Sequence, residues 1–150
     1  MAPILQVKNL QTHFFTKSGV LKAVDGVSFK IGAGEIIGLV GESGSGKSIT
    51  GFSILGLVDA PGRIVGGQIL FKGRDMTSIP PAEMQKLRGS RIAMIFQDPM
   101  MTLNPVLRIE TQMIESILTH DSSISKEEAR QRSRDTLGLV GISSPEERMR

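Results

Sequence analysis

Eight consecutive residues, Gly41-Glu-Ser-Gly-Ser-Gly-Lys-Ser48, carry the clearest chemistry in the chain. They satisfy G-x-x-x-x-G-K-[ST] in full, between an apolar run, Ile36–Val40, and an apolar helical stretch from about Lys47 to Val58. A polyphosphate needs several backbone N–H groups converging on its oxygens, which only a tightly wrapped loop delivers. Glycine permits that curvature and lets an anion approach the backbone. A helix starting near Lys47 adds its first amides and the positive end of its dipole. The Lys47 ammonium then reaches the β- and γ-phosphates, and the Ser48 hydroxyl is offered to Mg2+. At average residue usage the fixed positions arise by accident in about one chain of this length in a hundred or fewer. The dinucleotide fingerprint fails, because Gly44-Ser-Gly46 is followed by Lys-Ser-Ile with no third glycine.

Holding such a loop takes a strand on one side and a helix on the other. Ile36–Val40 reads as a short, fully buried strand, and Pro61-Gly62 stops the helix. Upstream, Ile4–Phe15 is strand-like, Lys17-Ser-Gly19 is a turn, and Val27–Ile31 alternates with period two. Downstream, Gly66-Gly67 precedes a strand at Gln68–Lys72, and Pro80–Gly89 carries proline and glycine where a short helix wants them. Ile92–Phe96 reads as a second buried strand. From Val106 the apolar residues recur at helical spacing, and Ser125-Lys-Glu-Glu128 is a capping box opening a helix with apolar Ala129, Leu137 and Val140.

Composition narrows the function classes. The chain has 150 residues, 39% of them hydrophobic and 22% charged, which suits a packed globular unit. No apolar run is long enough to span a bilayer, and the N-terminus lacks the pattern of a signal peptide. With no cysteine, disulfides, thiolate-held zinc and iron–sulfur clusters are excluded within it. Lys and Arg number 18 against 15 Asp and Glu, but the excess is scattered and Trp and Tyr are absent, so no nucleic-acid partner is expected.

A second motif selects among phosphate-loop proteins. Ile92-Ala-Met-Ile-Phe-Gln97-Asp-Pro-Met-Met-Thr-Leu-Asn-Pro-Val106 is an apolar run ending in glutamine, then a loop with Pro99 and Leu103-Asn-Pro105. It resembles the Q-loop of ABC-transporter ATPases. With Gly41–Ser48 and the Ala23–Phe29 and Gly34-Glu35 stretches, the chain is similar to the ATP-binding subunits of peptide and nickel importers. The resemblance implies an α/β fold of the P-loop NTPase, ABC-ATPase type, incomplete, with an antiparallel β part and the start of a helical subdomain. It divides the chain into a nucleotide-binding core portion, 1–105, and the helical start, 106–150. It implies ATP and Mg2+ as ligands, with Gly41, Glu42, Ser43, Gly44, Ser45, Gly46, Lys47, Ser48 and Ile49 around the phosphates. Gln97 is then the catalytic amide that meets Mg2+, beside Ser48, and the attacking water; Phe14, with Phe15 as its neighbour candidate, stacks on adenine. The implied partners are transmembrane permease subunits, a second ATP-binding subunit and, indirectly, an extracytoplasmic solute-binding protein. The implied location is cytoplasmic, peripheral on the inner face of the cell membrane.

No LSGGQ-like signature, no apolar run ending in a Walker B acid and no switch histidine is found, since His13 and His120 both precede its place. The expectation is a truncated portion that binds nucleotide without turning it over. Two other readings stand beside it: a nucleotide-binding module with no turnover of its own, and a small phosphate-loop kinase using Asp98.

Overall fold

The computed structural model describes residues 2–98 and 102–150. The chain forms two compact units, Met1–Ile92 and Ala93–Arg150.

In the first unit, β1 (Leu5–Thr16) and β2 (Gly19–Ile31) form a long antiparallel hairpin closed at Thr16↔Gly19. β3 (Gly62–Phe71) adds on the other side of β1, and β4 (Arg74–Asp75) follows it, for a sheet order of β2-β1-β3-β4. Gly66-Gly67, which reads as a boundary in the sequence, lies inside β3. The strand passes through it because β1 is irregular opposite, with register shifts between Lys8 and Thr12. Gly67 there has φ +82, and a Cβ on it would lie 2.3 Å from the Asn9 carbonyl oxygen.

Val7, Leu10, Val24 and Ile69 share one face of the sheet, the irregularity of β1 between Val7 and Leu10 bringing those two to the same side, and they pack with Met76 and with Met84 of α2 (Pro81–Leu87). Side chains of this size contribute about 1.5–3 kcal/mol each when fully buried. α1 (Lys47–Ile54) meets the same sheet through a polar seam. The buried hydroxyls of Thr12 and Ser53 lie 2.8 Å apart, and the Ser53 hydroxyl donates to the Ile49 carbonyl at 2.7 Å. Thr12→Val keeps the shape and removes that link, so urea unfolding should show a loss of about 1 kcal/mol. Adding Ser53→Ala should cost less than the sum of the two single changes, because the pair shares one hydrogen bond.

Both expected buried strands are corrected here. Neither Ile36–Val40 nor Ile92–Phe96 joins a ladder among the described residues, apart from one isolated bridge between Arg88 and Ile92. Ile36, Val40 and Ile95 are 97%, 94% and 95% exposed. An apolar run becomes a strand only when another strand accepts from its N–H groups and donates to its C=O groups, and no described residues supply one.

The second unit is helical: α3 (Ile109–His120), α4 (Lys126–Leu139) and α5 (Pro145–Arg148). The capping box forms as the sequence predicts, with Glu128 N–H donating to Ser125 Oγ and Ser125 N–H donating to Glu128 Oε2. The Ser125 backbone and hydroxyl donors hold the Glu128 carboxyl below its ordinary range. Small residues Ala129 and Ser133 form the buried contact stripe of α4, whereas Val140 caps the helix end and is exposed. Arg130 ties the three helices together, pairing with Glu110 at 2.7 Å and Glu146 at 2.8 Å. No helix of the described residues is long and apolar enough to cross a membrane.

Candidate phosphate-binding site

The site is built where α1 begins. Gly46 is its N-cap, in the left-handed region at φ 89, and no side chain caps the helix. Among the described residues, α1 is also the one helix with no acidic residue in its first turn; Glu83, Glu110, Glu127 and Glu146 occupy the first turns of the others. Its first amides and dipole therefore meet no carboxylate of the helix's own first turn that would compete with an anion.

Sheet packing fixes the loop at this point. A Cβ on Gly46 would lie 2.2 Å from the Ala23 carbonyl oxygen and 3.5 Å from Val24 Cγ2, so the loop's last glycine sits directly on β2. Thr50 reinforces the start, its N–H and hydroxyl both donating to the Gly46 carbonyl at 2.9 Å. Toward the other end, Ser45 N–H donates to the Glu42 carbonyl at 3.2 Å and closes a tight turn. The Lys47 ammonium folds back along this turn, donating to the Gly41 carbonyl at 2.7 Å and the Glu42 carbonyl at 2.6 Å. Ser43, Gly44 and Ser48 are exposed, Ile49 is half-buried, and Gly44 has φ +80 with open space around it.

This is a cradle of glycine backbone, with an ammonium held at its centre and an exposed hydroxyl at its rim. Its donors suit a polyphosphate and a hard cation: amides and a lysine for anionic oxygens, a hydroxyl oxygen for Mg2+.

The remaining candidates lie outside the loop in sequence. Phe14, on the Thr12 side of β1, is half-buried. Its ring lies over Gly62, where a Cβ would come within 2.6 Å of Phe14 Cε1 and 2.8 Å of Val58 Cγ1. Phe15 is 39% exposed and carries the Arg63 guanidinium 4.3 Å from its ring centre. Gln97 and Asp98 are exposed and belong to the second unit, whereas the loop residues and the aromatic pair belong to the first. Pro99, part of the glutamine-loop motif, lies outside the described residues.

Sequence reasoning missed the Ala23 carbonyl that locks Gly46 and the Thr12–Ser53 link under α1. Both join positions far apart in the chain, and no local pattern marks them.

Residues 24–149 match the ABC transporter family. Over its whole length the chain is 48% identical to the oligopeptide transport ATP-binding protein AppD of Bacillus subtilis (strain 168), covering 46% of that protein. It is 42% identical to the dipeptide transport ATP-binding protein DppD of Escherichia coli (strain K12), over 97% of this chain and 44% of that one. The chain thus spans about half the length of the curated relatives it matches. Among solved structures, the dimeric ABC transporter cassette MJ0796 superposes with a TM-score of 0.80 at 23% identity, covering 93% of this chain and 58% of that one. A nucleotide-free ATP-binding cassette from an ABC transporter superposes at 0.65 with 24% identity, covering 99% and 58%. These likenesses show the cassette fold.

Proposed function

The chain belongs to the ABC transporter family, and on that premise we propose that its glycine loop holds the phosphates of Mg-ATP within the ATP-binding subunit of a peptide importer. The carrying observation is the uncapped, acid-free start of α1 with the Lys47 ammonium held over it by two loop carbonyls. Loop amides from Gly41 to Ile49 bind the phosphate oxygens, and Lys47 neutralises the terminal ones. The Ser48 hydroxyl and the Gln97 amide oxygen would hold Mg2+, which when bound neutralises the charge that builds on the β- and γ-oxygens. Gln97 also orients the attacking water, a role a neutral amide fills without a charge to desolvate.

Peptide transport is proposed because AppD and DppD are named for it. Permease subunits in the membrane, a second ATP-binding subunit and an extracytoplasmic solute-binding protein complete the proposed assembly, with this chain on the cytoplasmic side. MJ0796, solved as a dimer, supports the paired arrangement. Titrating Mg-ATP into the purified chain should give saturable heat that excess inorganic triphosphate displaces. No saturation at physiological ATP concentrations overturns the reading.

Phe14 is the proposed adenine platform. Stacking on an aromatic is worth about 1–3 kcal/mol per base, so Phe14→Ala should weaken ATP roughly tenfold or more while inorganic triphosphate binding hardly changes. Equal losses for both ligands would assign the ring to packing over Gly62 and Val58 alone.

A further inference from the structure

The C-terminal end of α1 is closed in two steps. Gly56, at φ +60, ends the helix in the left-handed conformation. Leu57 N–H donates to the Phe52 carbonyl at 2.8 Å and Gly56 N–H to the Ser53 carbonyl at 3.1 Å. That pattern accounts for carbonyls inside the last turn but not for the two that follow. Both go to one side chain from a different element: Arg88 Nε donates to the Leu55 carbonyl at 2.7 Å, and Arg88 Nη2 to the Gly56 carbonyl at 2.5 Å. A planar guanidinium spans two successive carbonyls in this way, whereas an ammonium is a point donor without the fork. Placed at a helix C-terminus, the charge also complements the dipole whose positive end faces the loop.

The backbone on either side of Arg88 is engaged just as closely in the other direction. Arg88 follows α2 and bridges Ile92; Gly89 N–H donates to the Ile92 carbonyl at 2.9 Å, and Ile92 N–H to the Leu87 carbonyl at 3.1 Å. Ile92 opens the segment that leads in sequence to Gln97. Arg88 thus has its side chain on the helix that starts at the glycine loop, while its two chain neighbours, Leu87 and Gly89, hold the root of the glutamine segment.

We propose that Arg88 is a positioning residue that couples nucleotide binding at Gly41–Ser48 to the order of the segment running from Ile92 to Gln97. The coupling rests on the nucleotide reading above. Phosphates drawing on the first turn of α1 fix the helix along its axis, and the guanidinium passes that constraint to the Arg88–Ile92 turn.

The test is hydrogen exchange of the chain with and without saturating Mg-ATP, on wild type, Arg88→Gln and Arg88→Lys. In wild type, nucleotide should slow exchange both in peptides of α1 and in peptides covering 88–97. In both variants α1 should remain protected, while the nucleotide-dependent slowing at 88–97 falls by about tenfold or more, the least expected from the loss of one charge-assisted hydrogen bond. Arg88→Lys keeps the positive charge and most of the side-chain bulk, so it reports on the fork even where Arg88→Gln unfolds. Unchanged slowing at 88–97 in Arg88→Lys overturns the coupling. Absence of slowing in α1 of the wild type overturns the nucleotide reading, and the coupling with it.

Discussion

Gly46→Ala is expected to abolish nucleotide binding and to destabilise the first unit by several kcal/mol. Two separate effects add. An alanine at φ +89 carries a conformational penalty of about 1–2 kcal/mol. The steric clash is more severe: the new methyl would sit 2.2 Å from the Ala23 carbonyl oxygen, which is backbone of β2 and cannot swing aside. Either the loop lifts off the sheet or β2 bends, and the converging amides are lost in both cases. Gly44→Ala is the internal control. Its φ is +80 but nothing lies within 4 Å of the added carbon, so it should show the conformational penalty alone. Urea unfolding and ATP calorimetry on both variants check this, and similar behaviour of the two would refute the role given to Ala23.

Lys47→Ala should weaken ATP by about ten- to a hundredfold, the range expected when a hydrogen bond to a charged group, about 1.5–3 kcal/mol, is removed. The net value is a difference, because the ammonium already donates to the Gly41 and Glu42 carbonyls. A phosphate that takes Lys47 takes it from those acceptors, so binding exchanges partners rather than simply adding one. Lys47→Arg should restore little, since a planar fork cannot take the place of a compact ammonium inside the turn. Calorimetry alongside circular dichroism tests the claim; unchanged affinity in a folded Lys47→Ala would remove the lysine from the site.

The site is legible in the sequence because its demands are local. Eight consecutive residues specify the curvature, the cation and the hydroxyl, and the helix that follows begins at Lys47 as expected. The hairpin is legible in part, through the strand-like Ile4–Phe15, the turn at Lys17-Ser-Gly19 and the alternation of Val27–Ile31, whereas nothing local marks Gly19–Gly26 as the start of β2. What local pattern does not show is non-local. Ile36–Val40 and Ile92–Phe96 have strand composition, but periodicity does not supply a partner strand, and the described residues give them no ladder. The end of α1 differs for another reason: Pro61 is the stronger stop signal in the sequence, whereas Gly56 turns the chain left-handed well before it. Arg88 carries no signal, because its partners lie 32 and 33 residues away.

Among the described residues the run Ile36–Val40 pairs with no strand, which has a consequence for how this stretch of chain behaves at high concentration. It combines branched apolar residues with no charge and no proline, the make-up of segments that polymerise edge to edge. Exposed as it is, its restraint in sequence is the pair of carboxylates that bracket it, Glu35 before and Glu42 after. Charges in such places act as gatekeepers, repelling a second copy before backbone pairing can begin. Glu42 belongs to the proposed phosphate loop as well, so a residue bordering the proposed anion site also supplies one of these two flanking charges. A loop tuned toward more positive charge, to grip phosphate harder, would lose half of that protection.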